Sequence, residues 1–338
     1  MSNPYLELNG RVIEGGKYFA HVFALNLNPL SNNKDGLLRC ILSREGSIHY
    51  GGYIDRSQLY IIKRINDIKY KISEKLVIKY ETEIIKDLCK NGYDFLGLED
   101  PDIWYDDDSK LLHLYFTIPL IKKNRKSLIH LGHAQGKSLT TLVMTKPVLI
   151  AHKTSKYGGA KELVIVPKNK NGYRLNLVEG GIKEKDHNYS AVRVAIAKDM
   201  SKNWKFGKTA FHPGKHKLNW IAGHASPGPL LPKDFINVGE NKLLGFMNGR
   251  QKNTKLKNKI KYGNFTIGLY IYDYEKGFID WVSSKYLIKD SEAKTITFAS
   301  EFMQLNKNNG YLYAHVDDSF VRAYKINSEE LRKLIYKL

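Results

Sequence analysis

The chain holds only two cysteines in 338 residues, Cys40 and Cys89. Two thiols cannot build a disulfide framework, so reduced thiols in a cytoplasmic protein are the expectation. Long hydrophobic runs are missing too: no window approaches the roughly 18 consecutive apolar residues that span a bilayer, so no membrane insertion is expected. The opening residues, Met1-Ser2-Asn3-Pro4-Tyr5, carry no basic stretch followed by an apolar run, and no secretory signal is expected. Helical patterning is scarce. Only Ser73 to Asn91 and Ser328 to Leu338 read as helix, the second opening on Ser-Glu-Glu with the serine as cap. The histidines His130, His133, His212, His216 and His224 lack a tight metal-ligand spacing, so neither a metal nor a cofactor is expected. His224 alone, in a Gly/Pro-rich loop, could line a pocket.

Acidic residues are also in short supply, 34 Asp and Glu against 54 Lys and Arg, for a formal net charge of +20. Such a charge could attract nucleic acid, an anionic membrane or an anionic substrate. The basic residues are spread along the whole chain, however, and the densest run, Lys252 to Lys261, is interleaved with Asn like a solvated loop. No nucleic-acid-binding motif accompanies the charge, so no nucleic-acid partner is expected.

What fills the chain is short runs of Ile, Val, Tyr, Phe and Leu broken by Gly, Asn, Asp and Lys, such as Leu111 to Ile118, Lys242 to Met247 and Gly310 to His315. That is the pattern of many short strands joined by tight turns. A weak internal repeat runs through it, a strand followed by a polar turn and then an apolar or aromatic residue. Copies start at Ile129, Val192, Ile267 and Val321, with a fainter one between Ser47 and Leu59. Five copies give a spacing of roughly 68 residues, which suits a four-stranded blade with long loops. The reading is an all-β, five-bladed β-propeller with a short C-terminal helix, residues 1–338 forming one domain. A β-sandwich or a two-domain β protein accounts less well for the repeat.

The sharpest motif is Gly97-Leu98-Glu99-Asp100-Pro101-Asp102-Ile103-Trp104. Adjacent carboxylates beside a rigid proline repel each other or lose solvent, which raises one pKa as a general acid requires. An acidic surface turn is the competing explanation, and it is preferred for Asp106 to Asp108.

The motif resembles the Glu-Asp-Pro-Arg of glycoside hydrolase family 130, the mannoside phosphorylases and mannosidases, with Asp102 standing where that family has Arg. Other segments follow in the family's order: Asn28-Pro29, then Arg44, Lys161 ahead of Leu163 to Pro167 (with Glu162 in place of Asn), and Gly223 to Pro229. Leu243 to Gly249 resembles the strand ending His-Gly, with Asn248 for His. Tyr311 to Ser319 places Asp318 on the family's Asp. The resemblance implies a propeller with a sugar in a central pocket. Asp100 would be the general acid, and Asn28, Arg44, Glu99, Lys161, His224, Asn248 and Asp318 would line or hold the substrate site. The implied partner is an oligosaccharide, with inorganic phosphate as co-substrate in a phosphorylase; a homo-oligomer is compatible with the sequence.

Three departures, Asn248, Phe265 and Glu179, stand where the phosphorylases place phosphate-holding groups. They favour hydrolysis by inversion, with Glu179 as the base, over phosphorolysis. Glu179 also reads as an exposed residue of the Glu-Gly-Gly turn. A propeller that binds glycans or anions without catalysis is the remaining alternative. Trp220 is the best candidate for stacking on a sugar.

Overall fold

In a computed structural model, which describes residues 4–124, 127–151, 157–184, 188–256 and 259–335, the apolar runs pair as antiparallel meanders. From the centre outward, the first blade is His21–Leu27, Asp35–Glu45, Ile54–Arg64 and Tyr70–Lys75. The second is Glu99–Asp106, Leu111–Ile121, Ser127–Gly136 and Val143–Met144. Tyr157–Val164, Arg174–Lys183, Asn188–Ala197 and Lys205–Phe211 make the third. The fourth is His224–Leu230, Lys242–Arg250, Phe265–Asp273 and Phe278–Val282. The fifth takes Thr297–Gln304, Asn309–Val316 and Phe320–Asn327 from the end of the chain and its outer strand, Tyr5–Glu7, from the beginning.

The five innermost strands touch one another in a closed ring, each packing on the next and the fifth on the first. This is a five-bladed β-propeller. Using the N-terminal strand to complete the last blade pairs a sheet edge that would otherwise stand open.

Packing follows from the two-residue period of the strands. Along Leu111–Ile121, Leu112, Leu114 and Phe116 face the first blade and join Leu37, Leu59 and Ile61. Tyr115 faces the third blade and joins Val178 and Ala195. Both faces of a blade are dry, which is why these strands read as continuous apolar runs. The same arrangement recurs at the remaining interfaces, with Val192, Val194, Met247 and Tyr270 between the third and fourth blades. Leu244, Phe246, Leu312 and Tyr324 join the fourth to the fifth, and Leu25, Leu38, Tyr313 and Val321 join the fifth to the first. Each buried Leu or Phe contributes about 1.5–3 kcal/mol.

The internal repeat has a structural identity. Its copies fall on the third strand of each blade, at Ser127–Gly136, Asn188–Ala197, Phe265–Asp273 and Phe320–Asn327, and the faint copy reaches Ile54–Arg64. Third strands are flanked on both edges by partners, so their composition is constrained.

The expected helix from Ser73 to Asn91 is shorter. Its first residues belong to the outer strand Tyr70–Lys75, paired to Ile54–Arg64, and the chain turns at Tyr80, whose φ is +65°. Only Glu81–Cys89 is helical, with Glu81 and Glu83 in the first turn and Lys86 in the last, as the helix dipole favours. The C-terminal helix is Ser328–Ile335; residues 336–338 of the expected span lie outside the described residues. Its cap is not the serine. Asn327 Oδ1 accepts the Glu330 N–H at 3.1 Å, while Ser328 Oγ donates to the Lys307 carbonyl. Among the described residues no helix is long and apolar enough to cross a membrane.

Candidate active site

The inner strands leave a channel along the propeller axis, and their N-terminal ends line a cavity of about 540 Å³. All five blades contribute to it. Arg39 comes from the first, Glu99 and Asp100 from the second, Lys161, Glu162 and Glu179 from the third, His224 and Arg250 from the fourth, and His315 and Asp318 from the fifth.

Asp100 is presented by an irregular stretch of the second blade's inner strand. The register slips between Glu99 and Asp102, and Asp100 itself has φ +47°. Gly97, just before it, has φ +111°, and a Cβ there would lie 1.9 Å from the Ser57 carbonyl oxygen. Only glycine permits this approach, which sets the Glu-Asp pair against the first blade. Arg39 receives the pair: Nη1 donates to Asp100 Oδ1 at 2.8 Å, Nη2 pairs with Glu99 Oε1, and Nε donates to Ser57 Oγ at 3.0 Å. Burial pushes the Glu99 carboxyl up to about 7, with the Arg39 charge pulling the other way.

An imidazole and an ammonium converge on Glu179, which is 4% exposed. It sits on the second strand of the third blade, with His224 Nε2 at 2.8 Å and Lys161 Nζ at 3.7 Å. Burial works to raise this carboxyl, but His224 and Lys161 overrule it and hold it well below the usual range. Since burial pulls His224 itself down to about 4, the imidazole is neutral near pH 7, and the standing cation beside Glu179 is Lys161. The Glu-Gly-Gly segment is thus buried strand and not an exposed turn.

Asp318 sits at φ +43° in the turn after Asn309–Val316. The preceding Asp317 anchors that turn by accepting the N–H groups of Lys294, Thr295 and Ile296. The Asp318 carboxylate takes His315 Nε2 at 3.2 Å and the Tyr53 hydroxyl at 3.3 Å. Burial raises it, but His315 and Arg44 prevail and bring it to about 2.

Of the sequence-derived site residues, Glu99, Asp100, Lys161, Glu179, His224 and Asp318 meet at this cavity. Three others do not line it. Arg44 lies behind the wall, bidentate to Asp55 at 2.6 and 2.7 Å and donating to the Asp318 carbonyl at 3.1 Å. Asn28 caps the short helical turn Pro29–Ser31, accepting Leu30 N–H at 3.1 Å and donating to Asp35 at 2.8 Å. Asn248 is fully buried between the fourth and fifth blades, where its amide exchanges both hydrogen bonds with the backbone of Ala299, at 2.7 and 3.0 Å. Asn248 borders neither cavity. Truncation in Asn248→Ala strands a buried N–H and C=O, so equilibrium denaturation should show a loss of about 1–3 kcal/mol per stranded group.

Trp220 is blade packing as well, its indole donating to the Ser283 carbonyl and lying over Gly249 and Gly268, where a Cβ would meet the ring at 2.4 Å.

Sequence reasoning missed Arg39, Glu162, Arg250 and His315. Arg39 had a signal: it is the one charge inside the apolar run Leu37-Leu38-Arg39-Cys40-Ile41, and a charge in a buried strand needs partners. The Arg250 guanidinium packs over the Tyr262 and Phe265 rings, at 4.5 and 5.2 Å to their centroids.

The C-terminal halves of the inner strands line a second, smaller cavity of about 230 Å³ further along the axis, and Asp100, Glu162 and His315 border both. Asp102, at the family's Arg position, opens into this smaller cavity beside Glu301. Burial, reinforced by Glu301, pushes Asp102 up to about 8. Burial raises Glu301 to about 7 against the N–H groups of Leu27 and Phe302, which it accepts at 2.8 Å. The native state therefore keeps protons that the unfolded chain, with carboxyls near 4, gives up. Stability falls as pH rises from about 4 through 8 on this account. Asp102→Asn should be more stable than the wild type at pH 8, with the gap closing toward pH 4 in urea titrations; parallel curves at both pH values would contradict the assignment.

No protein-family model matches the chain, and no curated protein matches it by sequence. Solved structures do match. A beta-1,2-mannobiose phosphorylase from Listeria innocua, in complex with beta-1,2-mannobiose, is 13% identical with a TM-score of 0.60, covering 94% of this chain and 92% of its own. A glycosyl hydrolase from Bacteroides ovatus is 17% identical, TM-score 0.60, covering 97% and 92%. MPT-4, a mannose phosphorylase from Leishmania mexicana in complex with phosphate ion, is 11% identical, TM-score 0.56, covering 95% and 88%. Over nearly its whole length the chain shares the fold of these mannoside phosphorylases and this glycosyl hydrolase.

Proposed function

We propose that the chain is a carbohydrate-active enzyme that cleaves β-mannosides or related oligosaccharides by inverting hydrolysis. One observation carries the reading: the cavity holds carboxyl groups driven in opposite directions. Glu179 is kept ionised beside Lys161, while burial pushes the carboxyls of Glu99 and Glu162, the neighbours of Asp100, upward. Groups held in contrasting states on one site are what paired acid and base chemistry needs. Asp100 delivers a proton to the leaving oxygen, and Glu179 takes one from the attacking water. Lys161 and Asp318 hold sugar hydroxyls by charge-assisted hydrogen bonds, the neutral His224 adds a further one, and together they fix the ring. No metal or cofactor is invoked.

Phosphorolysis is the second reading, and Arg250 favours it. Among the described residues no carboxylate pairs with this guanidinium at the cavity wall, so it is available to an anion. Asn248 no longer bears on the choice, because it faces Ala299. Glu179 and Phe265 still oppose a phosphate dianion. Incubating the protein with a panel of β-linked manno-oligosaccharides, with and without phosphate, separates the two. Hydrolysis releases free sugar at a rate indifferent to phosphate, whereas phosphate-dependent sugar-1-phosphate would establish the second reading. No turnover under either condition would leave a binding protein.

A further inference from the structure

Proton supply to Asp100 is unsolved by the arrangement above. Each cleavage leaves Asp100 a carboxylate held 2.8 Å from the Arg39 guanidinium, and a new proton must reach it before the next turnover. Three neighbouring wall groups are engaged elsewhere: Arg39 with Glu99 and Asp100, Lys161 with Glu179, and His315 with Asp318. Glu162 is not committed, since no hydrogen bond or ion pair holds its carboxyl in the described structure. It stands in the inner strand of the third blade, inside the register shift between Lys161 and Val164 and at φ +52°, so the bulge turns it out of the ladder. It borders the large cavity and the small one, as Asp100 does.

We propose that Glu162 is the proton reservoir of the site, acting through Asp100 and refilled by way of the smaller cavity. The inference rests on the hydrolase reading. The Glu162 O–H bond breaks as one forms on Asp100. Asp100 then gives that proton to the glycosidic oxygen, which keeps the electron pair of the breaking C–O bond. Water bonds to the anomeric carbon while Glu179 takes its proton. Glu179 returns that proton to solvent and Glu162 draws one back, so the sum is the addition of one water across the glycosidic bond.

The surroundings of Glu162 suit a group that holds its proton. Burial raises its carboxyl well above the usual range, and Asp100 on the second blade and Glu179 on the third push it the same way. Lys161 on its own strand and Arg39 on the first blade pull against them. Behind it, Asp102 and Glu301 line the small cavity and hold protons near neutral pH, so the refilling side is itself acidic.

Glu162→Gln keeps the shape and removes the acid, and two readouts test it beside Asp100→Asn. The first needs no substrate: at pH 7 the variant should lose intensity in the protonated-carboxyl stretching band of the infrared spectrum, and an unchanged band overturns the proposal. The second compares a manno-oligosaccharide with a dinitrophenyl β-mannoside, whose leaving group needs no proton. Glu162→Gln should be slowed by about 10²-fold on the oligosaccharide and within a few-fold of wild type on the aryl glycoside. Equal losses on both substrates would mark a merely structural role and overturn it. Selectivity in Asp100→Asn with none in Glu162→Gln would sink the reservoir and leave the hydrolase reading standing. A wild type inert on both substrates would refute the reading, and this inference with it.

Discussion

Asp100→Asn is expected to lower turnover of unactivated oligosaccharides by about 10²–10⁴-fold, the usual worth of a general acid. The substitution preserves shape and an acceptor for Arg39, which keeps Glu99 and Ser57 as partners. The folded state should therefore survive, and circular dichroism melting should show a transition close to that of the wild type. The loss should shrink on substrates with good leaving groups, because those departures need no proton. An Asp100→Asn enzyme that matches wild type on a manno-oligosaccharide would remove Asp100 from the chemistry.

The second large effect concerns water activation. Glu179→Gln removes the cavity carboxylate that stands beside the Lys161 ammonium and is held well below the usual range, and hydrolysis should fall by about 10²–10⁴-fold. The test that distinguishes a lost base from a damaged site is rescue. Azide attacks without first losing a proton, so it should restore cleavage in Glu179→Gln and give a glycosyl azide, and it should do nothing for Asp100→Asn. Failure of azide to rescue Glu179→Gln, with the protein folded, would argue that Glu179 orients the substrate and is not the base.

Much of the architecture could be read from residue order. The repeat falls on the third strands, whose edges are both paired and whose faces pack against the neighbouring blades. The helix at Ser73 to Asn91 was over-long because Tyr70–Lys75 is an outer strand with a polar face, and its pattern does not exclude a helix. At the site, residues in short motifs beside Gly or Pro, such as Glu99, Asp100 and His224, could be found, as could Asp318 in the paired Asp317-Asp318 turn. Asn28, Arg44 and Asn248 lie off the cavity, Asn28 as the cap of a turn, Arg44 at a strand end paired with Asp55, and Asn248 inside an apolar strand. A polar residue in an apolar strand announces burial with partners, and the sequence does not say whether the partner is a ligand or another blade. Arg39 and Glu162 were missed because their roles come from neighbours 60 or more positions away, or from a bulge that the sequence does not mark.

The central claim is that an acid and a base act from opposite sides of one sugar held in the axial cavity. Proton NMR of a β-linked manno-oligosaccharide, followed from the first minutes of reaction in phosphate-free buffer, tests it most directly. The account requires the α-anomer of the released sugar to form first and then to mutarotate. A β-anomer formed first would contradict it, as would cleavage that begins only once phosphate is added.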